Sequence, residues 1–186
     1  AWMARRGARV TGIDNSARQL ETARRLAARH GLDLTLVHGN AEATPFARES
    51  FDFAISEYGA AIWCDPYEWV PEAHRILRPG GRLVFLGNHP FASVCTPLDG
   101  GDVGYGLERD YFSLRRLDFR DAAEPGGVEF NLTFSAWLAL FARVGFVVEE
   151  LLEPRAPDGA TGTAFAVPAE WAKRFPAEHV WKLRKR

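Results

Sequence analysis

Residues 51–56, FDFAIS, form a nearly continuous apolar run, the pattern of a strand covered on both faces. Downstream, Trp69, Val70, Ala73, Ile76 and Leu77 recur at helical spacing. Pro79-Gly80-Gly81 ends that helix, and residues 82–87, RLVFLG, read as a further strand. Strand, helix and strand at this spacing define a parallel βαβ unit. The same alternation continues on the amino-terminal side. Residues 8–14, ARVTGID, are a short β-branched run ending at an acid, and residues 33–38, DLTLVH, are a second strand. Between them Ser16 and Gln19 make a capping box ahead of the stripe Leu20, Ala23, Leu26 and Ala27, which Gly31 closes.

On the carboxyl side the pattern loosens. Residues 89–128 hold Gly, Pro and acidic residues around Tyr105, Tyr111, Phe112 and Phe119, and are expected to form an inserted cap. Ser135 is the expected cap of a helix carrying Trp137, Leu140, Phe141 and Val144 and stopped at Gly145. Residues 146–152 and 163–167 are the expected last strands. Pro168 then opens an expected helical tail, 168–186, whose basic end, Lys182 to Arg186, reads as a solvated helix face. The fold expected is α/β: a mostly parallel sheet with helices on both faces, an antiparallel last strand and one insert.

Composition narrows the function classes. The 186 residues carry 23 Lys and Arg against 24 Asp and Glu, so a protein coating nucleic acid through clustered cations is disfavoured. With 47% apolar and 25% charged residues the chain is an ordinary globular one, and its length suits a single domain. No apolar run approaches the ~20 residues of a membrane-spanning helix. Cys64 and Cys95 fit no paired metal spacing, and the five histidines show no H-E-x-x-H. No metal and a cytoplasmic location are therefore expected.

Ligands of open parallel sheets sit beyond the carboxyl ends of the strands. Asp14, in Gly12-Ile13-Asp14-Asn15-Ser16, can accept hydrogen bonds from both hydroxyls of a ribose, or simply help cap the next helix. Asn40 and the Ala41 backbone N–H, in Gly39-Asn40-Ala41-Glu42, can bond an adenine ring, or form a common Asx turn. Ser56-Glu57-Tyr58-Gly59 follows the third strand. Tyr58 and Trp63 are candidate walls of a substrate pocket, with Tyr111 from the insert, and His89 is a candidate general base.

In order, GIDNS, HGNAEATPF, SFDFAISEY and the helix ending RILRPGGRLVF resemble the class I S-adenosylmethionine-dependent methyltransferases, in particular the small-molecule enzymes of that class. The resemblance covers residues 1–87 by motif and 135–167 by topology, and the LRPGG turn, residues 77–81, is its most specific piece. It implies a Rossmann-like fold and S-adenosylmethionine as cofactor. The implied activity is methyl transfer to a small-molecule acceptor, by in-line displacement at the sulfonium methyl. Asp14 and Asn15 would then bind the ribose, Asn40 and Ala41 the adenine, and Ser56 would lie near the methionine moiety. Asn40 stands where the family more often has Asp.

Two other readings stay open: a nicotinamide-dependent oxidoreductase, whose ribose acid would occupy the place of Asp14, and a non-catalytic binding module built on a methyltransferase fold. The chain opens within what reads as the last turns of a helix, stopped by Gly7. The expectation is a domain lacking its amino-terminal portion, where the family carries its first strand and a Gly-rich loop around the methionine end of the cofactor.

Overall fold

The computed structural model describes residues 1–122 and 126–186, which resolve into two compact units, 1–45 and 46–186. In the first, α1 (Trp2–Arg5) precedes β1 (Val10–Asp14), α2 (Ala17–Arg29) and β2 (Leu34–His38). β1 and β2 pair in parallel, Asp14 opposite His38, so both strands deliver their carboxyl ends to one edge. Ser16 caps α2 as expected, its Oγ accepting from the Gln19 N–H at 3.3 Å. Gly31 follows the helix in the left-handed region. Only Leu20 and Ala27 of α2 are fully buried.

The second unit runs β3 (Phe51–Glu57), α3 (Ala60–Trp63), α4 (Pro66–Ile76), β4 (Leu77–Asn88), α5 (Pro90–Cys95) and a 3-10 turn (Tyr111–Ser113). It continues with β5 (Leu117–Asp118), β6 (Val128–Glu129), α6 (Phe134–Val144) and β7 (Phe146–Leu152). The short strands β8 (Thr163–Ala164) and β9 (Val167–Pro168), α7 (Ala169–Ala172) and β10 (Glu178–Lys185) complete it. Its main sheet has the order β3-β4-β10-β7, with β3 parallel to β4 and β10 antiparallel to both neighbours. The LRPGG turn works through its glycines. Gly80 has a φ of +78°, and a Cβ on Gly81 would sit 2.8 Å from the Arg78 carbonyl and 3.1 Å from that of Asp52.

The core is aromatic. Phe85 meets Trp69 edge-on at 5.2 Å and Trp137 at 5.3 Å, and Trp137 stacks on Phe141 at 5.5 Å. Trp181 and His179 from β10 close the cluster, all buried to within a few per cent.

Four expectations are corrected. The tail 168–186 is helical only over Ala169–Ala172 and then becomes β10, because His179, Trp181, Leu183 and Lys185 alternate inward at the period of a strand. The last antiparallel strand is therefore β10 rather than residues 163–167, of which only Thr163–Ala164 is strand before Val167. Its basic residues are tied down: Lys182 pairs with Glu150 at 2.6 Å and Arg184 with Glu149 at 2.9 Å. Buried Lys185 donates to the carbonyls of Leu77 at 2.8 Å and His74 at 3.0 Å. Thr133, not Ser135, caps α6, since its Oγ1 accepts from the Ala136 N–H at 3.2 Å while Ser135 already lies in the first turn. Finally, β3 is an edge strand, and Phe53 and Ile55 stay 39% and 49% exposed instead of covered. Cys64 and Cys95 are both buried.

Candidate functional site

In the first unit the strand ends carry open hydrogen-bonding groups. Asp14 ends β1, and its Oδ1 accepts from the Ser16 N–H at 2.7 Å, which fixes the turn into α2. Among the described residues its Oδ2 has no partner, leaving one carboxylate oxygen to accept from a ligand. The Asn15 carbonyl accepts from His38 Nε2 at 2.9 Å, a bond that ties the two strand ends together. Asn40 forms the Asx turn that was its simpler reading: Oδ1 accepts from the Glu42 N–H at 3.0 Å and Nδ2 donates to Glu42 Oε2 at 3.1 Å. That turn leaves the half-buried Ala41 N–H without an acceptor among the described residues. A free carboxylate oxygen after β1 and a free N–H after β2 match the donor and acceptor pattern of an adenosine.

In the second unit Ser56 is engaged by the protein. Its Oγ donates to the Tyr58 carbonyl at 2.7 Å and accepts from the Ala61 N–H at 3.3 Å. The hydroxyl thus braces a turn in which Tyr58 and Gly59 have φ values of +52° and +46°. That strained turn aims the Tyr58 ring back over the sheet, where its hydroxyl donates to Glu178. Glu178 lies opposite Asn88 across β10 and β4, and Asn88 Nδ2 donates to Glu129 Oε2 at 3.2 Å. Two polar pairs, Tyr58 with Glu178 and Asn88 with Glu129, thus lie near the carboxyl ends of β3 and β4. Burial pushes the Glu129 carboxyl above its ordinary range, with the Asn88 bond and the charge of Arg109 acting against it. Glu178 is pushed the same way by burial and then by Glu57.

Trp63, 49% exposed, covers the β5–β6 hairpin, and a Cβ on Gly127 would come within 2.7 Å of its ring. Tyr111 belongs elsewhere: it packs edge-on against Phe112 at 5.4 Å, and Phe112 borders a cleft of about 740 Å³ with Tyr67, Arg115 and Arg143.

His89 directly follows β4. Its Nδ1 accepts from the Phe91 N–H at 3.0 Å, capping α5, and its Nε2 meets Glu153 at 2.7 Å. Both ring nitrogens therefore have partners within the protein, and the residue is 6% exposed. Burial lowers its pKa, against the pull of Glu153. Nearby His179 is pushed down to about 3 by burial and then by His89. Neither Glu129 nor Glu178 stood out in the sequence. Each is a lone carboxylate without a local pattern, and only the pairing of distant segments gathers them.

A strand-end acid, an open N–H after the next strand and the LRPGG turn sit in a Rossmann-like fold similar to that of class I S-adenosylmethionine-dependent methyltransferases. The family model described as a methyltransferase domain matches residues 1–85. The chain is similar to the uncharacterized protein YafE of Escherichia coli K12, with 32% identity over 149 residues, 80% of this chain and 64% of that protein. It is 40% identical over 82 residues to 2-methyl-6-phytyl-1,4-hydroquinone methyltransferase 2, chloroplastic, of Oryza sativa subsp. japonica, covering 44% of this chain and 23% of that one. The chain thus spans less than two thirds of these curated relatives. Among solved structures, an S-adenosylmethionine-dependent methyltransferase from Mesorhizobium loti superposes with a TM-score of 0.73 at 25% identity, covering 95% of this chain and 80% of that one.

Proposed function

We propose that the chain transfers a methyl group from S-adenosylmethionine to a small-molecule acceptor, with residues 1–186 acting as one methyltransferase domain and residues 89–128 shaping the acceptor side. The observation that carries this reading is the pair of open groups at adjacent strand ends, Asp14 Oδ2 and the Ala41 N–H. Asp14, with Asn15 beside it, would hold the ribose hydroxyls, and Ala41, on the turn made by Asn40, the adenine ring. When bound, S-adenosylmethionine supplies a methyl group on a positively charged sulfur that is already a good leaving group. The residues of the chain then have mainly to align the acceptor and exclude water, effects that reach about 7–11 kcal/mol in favourable cases. Ser56 acts through the turn it braces, and Tyr58 and Trp63 are the second unit's candidates for acceptor contact.

Among the described residues no helix is long and apolar enough to cross a membrane. A chain with only two cysteines fits a cytoplasmic location. The hydroquinone named for the rice relative is not carried over, because that likeness covers 44% of this chain. A nicotinamide-dependent oxidoreductase would also use an acid at the place of Asp14, and calorimetry separates the two. Titration with S-adenosylhomocysteine should give saturable binding and titration with nicotinamide adenine dinucleotide none. The reverse result would replace the methyltransferase reading.

A further inference from the structure

The cleft of about 740 Å³ lies wholly within residues 46–186, so what it can hold follows from that unit alone. Its size falls in the range of small-molecule sites, about 300–1,000 Å³. Tyr67 comes from the first turn of α4 and Arg143 from the last turn of α6. Phe112, Leu114 and Arg115 come from the insert, and Leu132 precedes α6. Leu114 and Leu132 give the cleft a buried apolar lining, 1% and 4% exposed, whereas the Phe112 ring is 88% exposed. No carboxylate is among the described residues that line it.

Two guanidiniums share the Tyr67 ring. Arg115 lies over it with its central carbon 4.9 Å from the ring centre, and Arg143 lies at 5.3 Å. A guanidinium held through its flat face keeps its N–H edge free for an acceptor. On Arg115 that edge is engaged: Nη2 donates to Asp65 Oδ2 at 2.6 Å, while Asp65 caps α4 through its other oxygen. Glu68, the other acid acting on Arg115, is exposed and outside the lining. On Arg143 the edge is open, since among the described residues no carboxylate or carbonyl accepts from it. Other arginines of this unit are paired, Arg75 with Glu72, Arg78 with Asp52 and Arg82 with Glu149. We propose that the cleft binds a small carboxylate with an aromatic body. The carboxylate sits on the N–H edge of Arg143, and the body lies against Phe112, Leu114 and Leu132. Charge selects the head group. Asp65 neutralises Arg115, which leaves one positive charge to match; a carboxylate balances it, and a dianionic phosphate leaves a surplus. The two oxygens of a carboxylate also fit the fork of a guanidinium.

The test is isothermal titration of the full chain at neutral pH with 2-naphthoate, with 2-naphthol as its uncharged counterpart and 2-naphthyl phosphate as the dianion. Naphthoate should bind saturably, one per chain, and at least about tenfold tighter than either of the others. Arg143→Met keeps the apolar stem and removes the N–H edge; it should weaken naphthoate about ten- to hundredfold and leave naphthol within about threefold of wild type. Arg143→Lys should recover part of the affinity through its charge. Phe112→Ala should weaken naphthoate and naphthol alike, because it removes the wall that both bodies touch. Arg143 and Phe112 are exposed, so the melting midpoints of all three variants should stay close to that of wild type. Several results would overturn the proposal: no saturable binding of naphthoate, naphthol or naphthyl phosphate binding within about threefold of it, wild-type affinity in Arg143→Met, or an Arg143→Met chain that fails to fold, which would give the guanidinium to the protein itself. The methyltransferase reading plays no part in these outcomes; its failure would show separately, in the titration with S-adenosylhomocysteine.

Discussion

Residues 1–45 and residues 46–186 solve different problems with the same kind of strand and helix. The first unit fully buries two side chains of its one long helix, and several of its side-chain hydrogen bonds are local turns and caps, at Asp14 with Ser16, Ser16 with Gln19 and Asn40 with Glu42. The second unit buries Trp69, Phe85, Trp137, Phe141, Trp171 and Trp181 in its interior. A thin core leaves polar backbone open at the strand ends, which suits a ligand rich in hydrogen-bonding groups. A dense aromatic core supports a sheet that presents Asn88 on β4 opposite Glu178 on β10, with Tyr58, just after β3, bonded to Glu178. Stability and recognition are thus divided along the chain.

The division can be tested from both sides. Trp137→Ala should destabilise the second unit by about 3–5 kcal/mol, seen as a lower midpoint in a denaturant melt. The aromatic core also hides His179. A histidine whose folded pKa lies below its unfolded value near 6.5 contributes stability that is present above pH 6.5 and is lost as pH falls toward 3. Acid melts followed by tryptophan fluorescence should show a loss on the order of 4 kcal/mol across that window, and His179→Phe should flatten it. Leu20→Ala, the matching cut in the first unit, should be milder, about 2–3 kcal/mol, because the half-exposed stripe around it can relax. If it costs as much as Trp137→Ala, the contrast between the cores fails. Ser16→Ala should cost least, about 1 kcal/mol, read from the same melts through loss of the α2 cap.

Much of this was legible in the sequence wherever one physical cause dominated. The acid after β1, the cap at Ser16 and the LRPGG turn follow from local rules, and each stands where those rules place it. The tail misled because Pro168 and the basic residues imitate a helix, although His179, Trp181 and Leu183 already alternate at the period of a strand. Ser135 and Thr133 are chemically alike, and only the bond to the Ala136 N–H decides between them. Ser56 and His89 look available in the sequence, but the folded chain binds their polar atoms itself. Glu129 is the reverse case: nothing near it in sequence marks it out, and only the fold brings the Asn88 amide to its carboxylate.

The central claim is that the open oxygen of Asp14 recognises the cofactor's ribose. Asp14→Asn keeps an Oδ1 for the Ser16 N–H and replaces the free acceptor with a donor. Isothermal titration with S-adenosylhomocysteine should show affinity falling about ten- to hundredfold, the worth of a charge-assisted hydrogen bond, while the melting midpoint stays close to that of wild type. Unchanged affinity in a folded Asp14→Asn protein would contradict the account.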